Sequence, residues 1–216
     1  MTKIKICGLK SAKDIELAKE ADIFGFIVDI PSSPRNLSIA QAKALIRIAK
    51  KYGEVAVVST ATSMQKLAEI ANKLKPDILQ IHRETREEEL IKLRKIAKEV
   101  KIMPVISIPA ELKNINTDSL KLIKKLARHS DALLLDTVKS SVYGKTHNWI
   151  VSKAIRNALY PFPIILAGGL TPKNVQKAIQ LVRPYAVDVV SGVEKELGVK
   201  DEKKLKEFIR KVREVG

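Results

Sequence analysis

The stretch DILQIHRETREEELIKLRKIAKEVKIMPVIS (77–107) carries one complete unit of the pattern that decides the fold. It opens on a short apolar run, DILQI (77–81), and closes on another, KIMPVIS (101–107). Between them, REEELIKLRKIAKEV (86–100) returns apolar residues at three- and four-residue spacing, the period of a helix. Both flanking runs are apolar nearly throughout and lack strict alternation, as expected of parallel strands covered on both faces. The segment reads as strand, helix, strand.

Outward from this unit the same pattern repeats in both directions. Upstream lie strands at KIKIC (3–7), DIFGFIV (22–28) and EVAVV (54–58); downstream lie DALLLD (131–136), PIILAG (163–168) and VDVV (187–190). Amphipathic segments such as SIAQAKALIRIAKK (38–51), SMQKLAEIANKLK (63–75) and KKLKEFIRKVRE (203–214) accompany them. Eight strands, each followed by a helix, predict an α/β fold of the (βα)8 or TIM-barrel type, eight parallel strands with outer helices, in one catalytic domain over 1–216. A doubly wound open sheet uses the same alternation, but no glycine-rich dinucleotide fingerprint follows the first strand.

Composition narrows the function. The chain has 216 residues, of which 45% are apolar and spread along its length, which excludes a disordered protein. No apolar run approaches the roughly 18 residues of a membrane span. The start, MTKIKICGLK, has no secretory h-region, so a cytoplasmic location is expected. The single cysteine, Cys7, forbids an internal disulfide or a CxxC metal site, and His82, His129 and His147 show no metal-ligand spacing. Forty Lys and Arg against 24 Asp and Glu leave a net charge of +16. The basic residues mostly interleave with acidic ones on helix faces, and 4% aromatics are too few for a single-strand stacking platform. No nucleic-acid or membrane partner is expected. The richness in Lys and Glu fits a heat-adapted protein.

In a barrel, chemistry belongs at the carboxyl ends of the strands. Those positions here hold Cys7-Gly8, Arg35 in a Pro-flanked loop, His82, Asp136-Thr137, Gly168-Gly169 and Ser191-Gly192. Gly168, Gly169, Ser191 and Gly192 either make tight turns or bring backbone N–H groups together as a phosphate site, with Thr171-Pro172 reading as an N-cap and first helical residue. Cys7 reads as a small buried hydrophobe or a reactive thiol. Asp136 closes an apolar run, so it must leave the core to cap a turn or face the rim. His82 is a hydrogen bonder or a substrate contact. Arg35 is either solvated or shaped to hold a carboxylate. His147, close to the loop after strand 6, is a further rim candidate.

The segments KICGLKSAKD (5–14), SPRNLS (33–38), LLLDT (133–137), ILAGGLTPKNV (165–175), RPYAVDVVSGVE (183–194) and GVKD (198–201) occur in an order that is specific in combination. Over essentially its full length the chain resembles phosphoribosylanthranilate isomerase, a (βα)8 enzyme of tryptophan biosynthesis. The resemblance implies an Amadori rearrangement of N-(5′-phosphoribosyl)anthranilate to 1-(2-carboxyphenylamino)-1-deoxyribulose 5-phosphate. It implies Cys7 as general base and Asp136 as general acid, Arg35 on the anthranilate carboxylate, and His82 and Asp188 as further substrate contacts. Such a base asks for a modestly lowered thiol pKa, and such an acid for a raised carboxyl pKa. Neither metal nor organic cofactor is implied. The partner is a small phosphorylated substrate, and the assembly a monomer or homodimer.

The chain departs from the family pattern in places. Ser59 stands in for the Asn of strand 3, QLHG becomes Gln80-Ile81-His82-Arg83, and a GGTGxxFDW-like segment appears as SVYGKTHNW (141–149). Of that last pattern only Gly144 and Trp149 remain. The nearest enzymatic rival is the related histidine-pathway sugar isomerase. That relative resembles this chain less, because it carries a carboxylate where Cys7 stands and needs a second phosphate site. Other phosphate-binding barrel enzymes form a broader alternative. Outside enzymes, the alternative is a basic nucleic-acid-binding protein.

Overall fold

A computed structural model describes residues 1–138 and 146–215. Eight parallel strands form the barrel: β1 Lys3–Cys7, β2 Ile23–Val28, β3 Glu54–Ser59, β4 Ile78–Ile81, β5 Lys101–Ile108, β6 Leu133–Thr137, β7 Ile164–Leu166 and β8 Ala186–Val189. Each strand pairs with the next, and β1 closes the ring by pairing with both β2 and β8. Helices α1 Ala12–Leu17, α2 Ile39–Ala49, α3 Met64–Leu74, α4 Glu87–Ile96, α5 Thr117–Arg128, α6 Trp149–Leu159, α7 Val175–Val182 and α8 Glu202–Arg213 follow their strands in turn. The expected (βα)8 barrel is therefore the observed fold. Gly144 and residues 141–145 of the altered segment lie outside the described residues.

Strand starts at Asp22, Asp77 and Asp131 are corrected by one or two residues, for a common physical reason. Each aspartate sits just before β2, β4 or β6 and exchanges two hydrogen bonds with the preceding strand. Its carboxylate accepts from the N–H of Ile4, Val55 or Ile102 (2.7, 2.8 and 2.7 Å), while its own N–H donates to that residue's carbonyl. The polar side chain is thus spent on a backbone donor at the lower edge of the barrel. Each of the three also meets a cation: Arg213, Lys50 and Arg94 respectively.

Helix ends follow local chemistry. Ser11, Ser38, Ser63, Asn116 and Asp201 each accept a hydrogen bond from the first turn they precede. The fourth helix stops at Ile96, not near Val100, because the buried Ala97 and Val100 turn the chain inward to start β5 at Lys101. Two packed layers result. Buried residues of strands and helices fill the space around the barrel. A separate cluster of Ile23, Ala56, Ile78, Met103, Val105, Leu134, Ile165 and Ala186 fills its inside. Above that plug, polar side chains take over.

Candidate active site

Cys7 is the last residue of β1, and its side chain shares the inward face with Lys5, two residues earlier. It is 2% exposed. Its sulfur lies on Gly25 of the neighbouring strand, where an added Cβ would come within 2.6 Å of Sγ. Gly25 is the position that makes room for the thiol, and an interior strand glycine was the available signal for such an approach. The Cys7 carbonyl accepts a hydrogen bond from Lys200 Nζ at 2.7 Å. Burial pushes the thiol pKa up; Lys5 and Lys200 oppose the rise, while Asp188 adds to it. The modest lowering expected from sequence is therefore reversed, because desolvation outweighs the two ammonium groups.

Asp188, expected beside the sugar, stands level with Lys5 in the barrel register, one inward position below Cys7. It is 5% exposed and lies 3.1 Å from Lys5 Nζ. It reaches the mouth only from beneath.

Three strands round the ring, β6 ends in Asp136-Thr137. Asp136 Oδ1 accepts from the Thr137 N–H at 2.8 Å, and Oδ2 lies 3.7 Å from His82 Nε2. The buried Gln80 amide nitrogen is 3.1 Å from His82 Nδ1. His82 is thus brought to Asp136. His147 does not line the rim: it is 2% exposed, and burial pushes its pKa down to about 4.

Arg35 is buried, and its Nε and Nη2 donate to the two oxygens of Glu194 at 2.7 and 2.6 Å. Lys200 stands 3.3 Å from the same carboxylate, and the Gly198 N–H donates to it at 3.2 Å. Burial works against ionising Glu194, but these donors together hold its carboxyl below the usual range. Glu194 and Lys200 belong to a small hairpin, Glu194–Glu196 with Val199–Lys200, that sequence reading did not anticipate. The hairpin binds the loop carrying Arg35 to the end of β1. Gly8 completes the approach, since a Cβ there would sit 2.6 Å from Arg35 Cδ.

The two glycine-bearing loops meet. A Cβ on Gly192 would collide with the Leu170 carbonyl, and Gly168 and Gly169 both adopt positive φ, 85° and 67°. One expectation is corrected here: α7 begins at Val175, and Thr171 is not its side-chain cap. Asn174 takes over the loop instead, accepting from the Thr171 N–H at 2.8 Å and donating to the Gly169 carbonyl at 2.9 Å. Among the described residues, no group of three or more His, Cys, Asp and Glu gathers as a metal site, and no helix is long and apolar enough to cross a membrane.

Parallel barrel and furnished mouth define the class, a (βα)8 barrel with its candidate site at the carboxyl ends of the strands. The family model for N-(5′-phosphoribosyl)anthranilate (PRA) isomerase matches residues 4–211. An N-(5′-phosphoribosyl)anthranilate isomerase from Methanosarcina acetivorans is 42% identical, covering 98% of this chain and 93% of the relative. The solved isomerase structure from Pyrococcus furiosus superposes with a TM-score of 0.84 at 31% identity, with full coverage of both chains. A further isomerase structure, in complex with reduced 1-(o-carboxyphenylamino)-1-deoxyribulose 5-phosphate, gives a TM-score of 0.78 at 28% identity over 99% of this chain and all of that one. The chain belongs to the PRA isomerase family. It is an isomerase of tryptophan biosynthesis, acting by Amadori rearrangement on phosphoribosylanthranilate.

Proposed function

We propose that Cys7 and Asp136 divide the proton transfers of this rearrangement. Asp136 gives its proton to the furanose oxygen as the bond from that oxygen to C1′ breaks, and the anilino nitrogen lone pair forms the iminium. The Cys7 thiolate then takes the proton from C2′, and the released electron pair neutralises the iminium to give an enolamine. Loss of the O2′ proton and protonation at C1′ complete the aminoketose. C2′ is oxidised and C1′ reduced within one molecule, so no external redox partner enters.

The single observation that carries this reading is that one thiol and one carboxyl end β1 and β6 on the same rim. The raised thiol pKa suits the order of events. The iminium is a cation next to the carbon losing its proton, so it favours the thiolate at the step that needs one. Arg35 holds the anthranilate carboxylate, with Glu194 fixing its plane. Arg35, Glu194 and Lys200 together keep one positive charge, which draws an anion. His82 contacts the substrate beside Asp136. Gly168, Gly169, Ser191 and Gly192 hold the phosphate through backbone N–H groups. Asp188 keeps Lys5 charged beneath the thiol. The enzyme works in the cytoplasm as a monomer or homodimer.

The test generates the substrate in situ from anthranilate and phosphoribosyl pyrophosphate and follows its fluorescence. Rapid loss with the intact chain, reduced to the spontaneous rate by Asp136→Asn, is expected. Full activity in Asp136→Asn removes the acid from the scheme.

A further inference from the structure

Beside Asp136 lies a buried group that the reaction scheme leaves unused. All three nitrogens of His147 are engaged. Its backbone N–H donates to Thr137 Oγ1 at 3.0 Å, its Nδ1 meets that hydroxyl at 2.9 Å, and its Nε2 meets Ser152 Oγ at 2.6 Å. Ser152 is fully buried on α6. Thr137 in turn gives its N–H to Asp136 Oδ1 at 2.8 Å. On its other side it is packed against Gly168, where a Cβ would lie 2.5 Å from Thr137 N and 2.9 Å from Asp136 Oδ1.

We propose that His147 is a positioning residue for the general acid. By holding the Thr137 hydroxyl it fixes the 136–137 peptide, whose N–H sets the plane of the Asp136 carboxyl and turns Oδ2 toward the substrate. The proposal rests on the reading of Asp136 as the acid.

Three observations support it. The bridge runs from the acid to a buried helix position, so the carboxyl is referenced to the scaffold. A neutral imidazole has one donor and one acceptor nitrogen, which satisfies both hydroxyls whichever tautomer is drawn. Burial keeps the ring neutral far below neutral pH, so the bridge persists across the working range.

The experiment compares kcat, KM and thermal midpoint for His147→Phe, Thr137→Val, the double variant and His147→Gln. Each of the first two is expected to lower kcat about tenfold, the lower end of what orienting partners cost at other sites, with KM within about twofold. The double variant should fall no further than the worse single one, because both break the same bridge. His147→Gln, which keeps a donor and an acceptor, should recover most of the turnover. An unchanged kcat in His147→Phe with only a lower midpoint, or losses that multiply in the double variant, overturns the proposal. Should His147→Phe fail to fold, an unchanged kcat in Thr137→Val overturns it alone. Asp136→Asn separates the two readings. If that variant stays active, the acid assignment fails; if it is dead while the bridge variants turn over normally, only the positioning role fails.

Discussion

Lys5 and Asp188 face each other inside the barrel with Nζ 3.1 Å from Oδ1, one inward position below Cys7. Coulombic attraction is the larger part of what Asp188 does to Lys5, and a side-chain hydrogen bond the smaller. Both charges act on the thiol above: Lys5 favours the thiolate and Asp188 opposes it.

Removing that ammonium should leave less of the thiol ionised at a given pH. Lys5→Met is expected to shift Cys7 ionisation to higher pH, and Asp188→Asn to lower pH. Cys7 is the only cysteine, so thiolate absorbance against a Cys7→Ser blank reads it without ambiguity. Equal midpoints in all three chains would contradict the coupling. Leaving one buried charge unpaired costs about 3–5 kcal/mol, so Lys5→Met should also melt earlier, and Lys5→Met with Asp188→Leu should regain stability.

Arg35→Met should mainly raise KM, because it removes a contact made in the ground state and the transition state alike. Glu194→Gln should do so more weakly, since Arg35 keeps its charge but loses its bidentate anchor. Steady-state kinetics decide, and an unaltered KM in Arg35→Met removes Arg35 from the carboxylate site.

At the opposite end of the barrel, Asp131→Ala deletes the acceptor of the Ile102 N–H. A lost buried partner costs about 1–3 kcal/mol. Urea unfolding should show that loss while kcat stays unchanged, because the clasp lies at the far end from the rim.

His147 adds a pH dependence to stability. Its imidazole titrates near 6.5 unfolded and about 4 folded. Between those values the unfolded chain binds a proton that the folded chain does not. Stability is therefore lost as pH falls from 6.5 toward 4, by about 3 kcal/mol in all. In His147→Gln the fall over this window should be smaller by that amount. Equal slopes in denaturant titrations of the two chains would contradict the burial cost.

Much of this architecture is written locally. The apolar runs from KIKIC to VDVV mark all eight strands, because a strand covered on both faces must be apolar wherever it is read. Cys7, Asp136 and the glycine pairs stand out because they end such runs. What escaped is non-local. Arg35 and Glu194 are 159 residues apart in the chain, and Lys200 and Cys7 are 193 apart, so no short pattern announces either contact. Asp22, Asp77 and Asp131 read as the first residues of strands because their backbone donors sit on another strand. Lys5 was legible in principle: KIKIC puts it on the face of Cys7, but a lysine in a strand is ordinarily turned to solvent.

The most direct test of the central claim is the turnover of Cys7→Ser. A serine hydroxyl is a far weaker acid than a thiol, so kcat should fall by more than about a hundredfold, the range general base catalysis supplies, with KM little changed. Turnover near that of the intact chain would contradict Cys7 as the base.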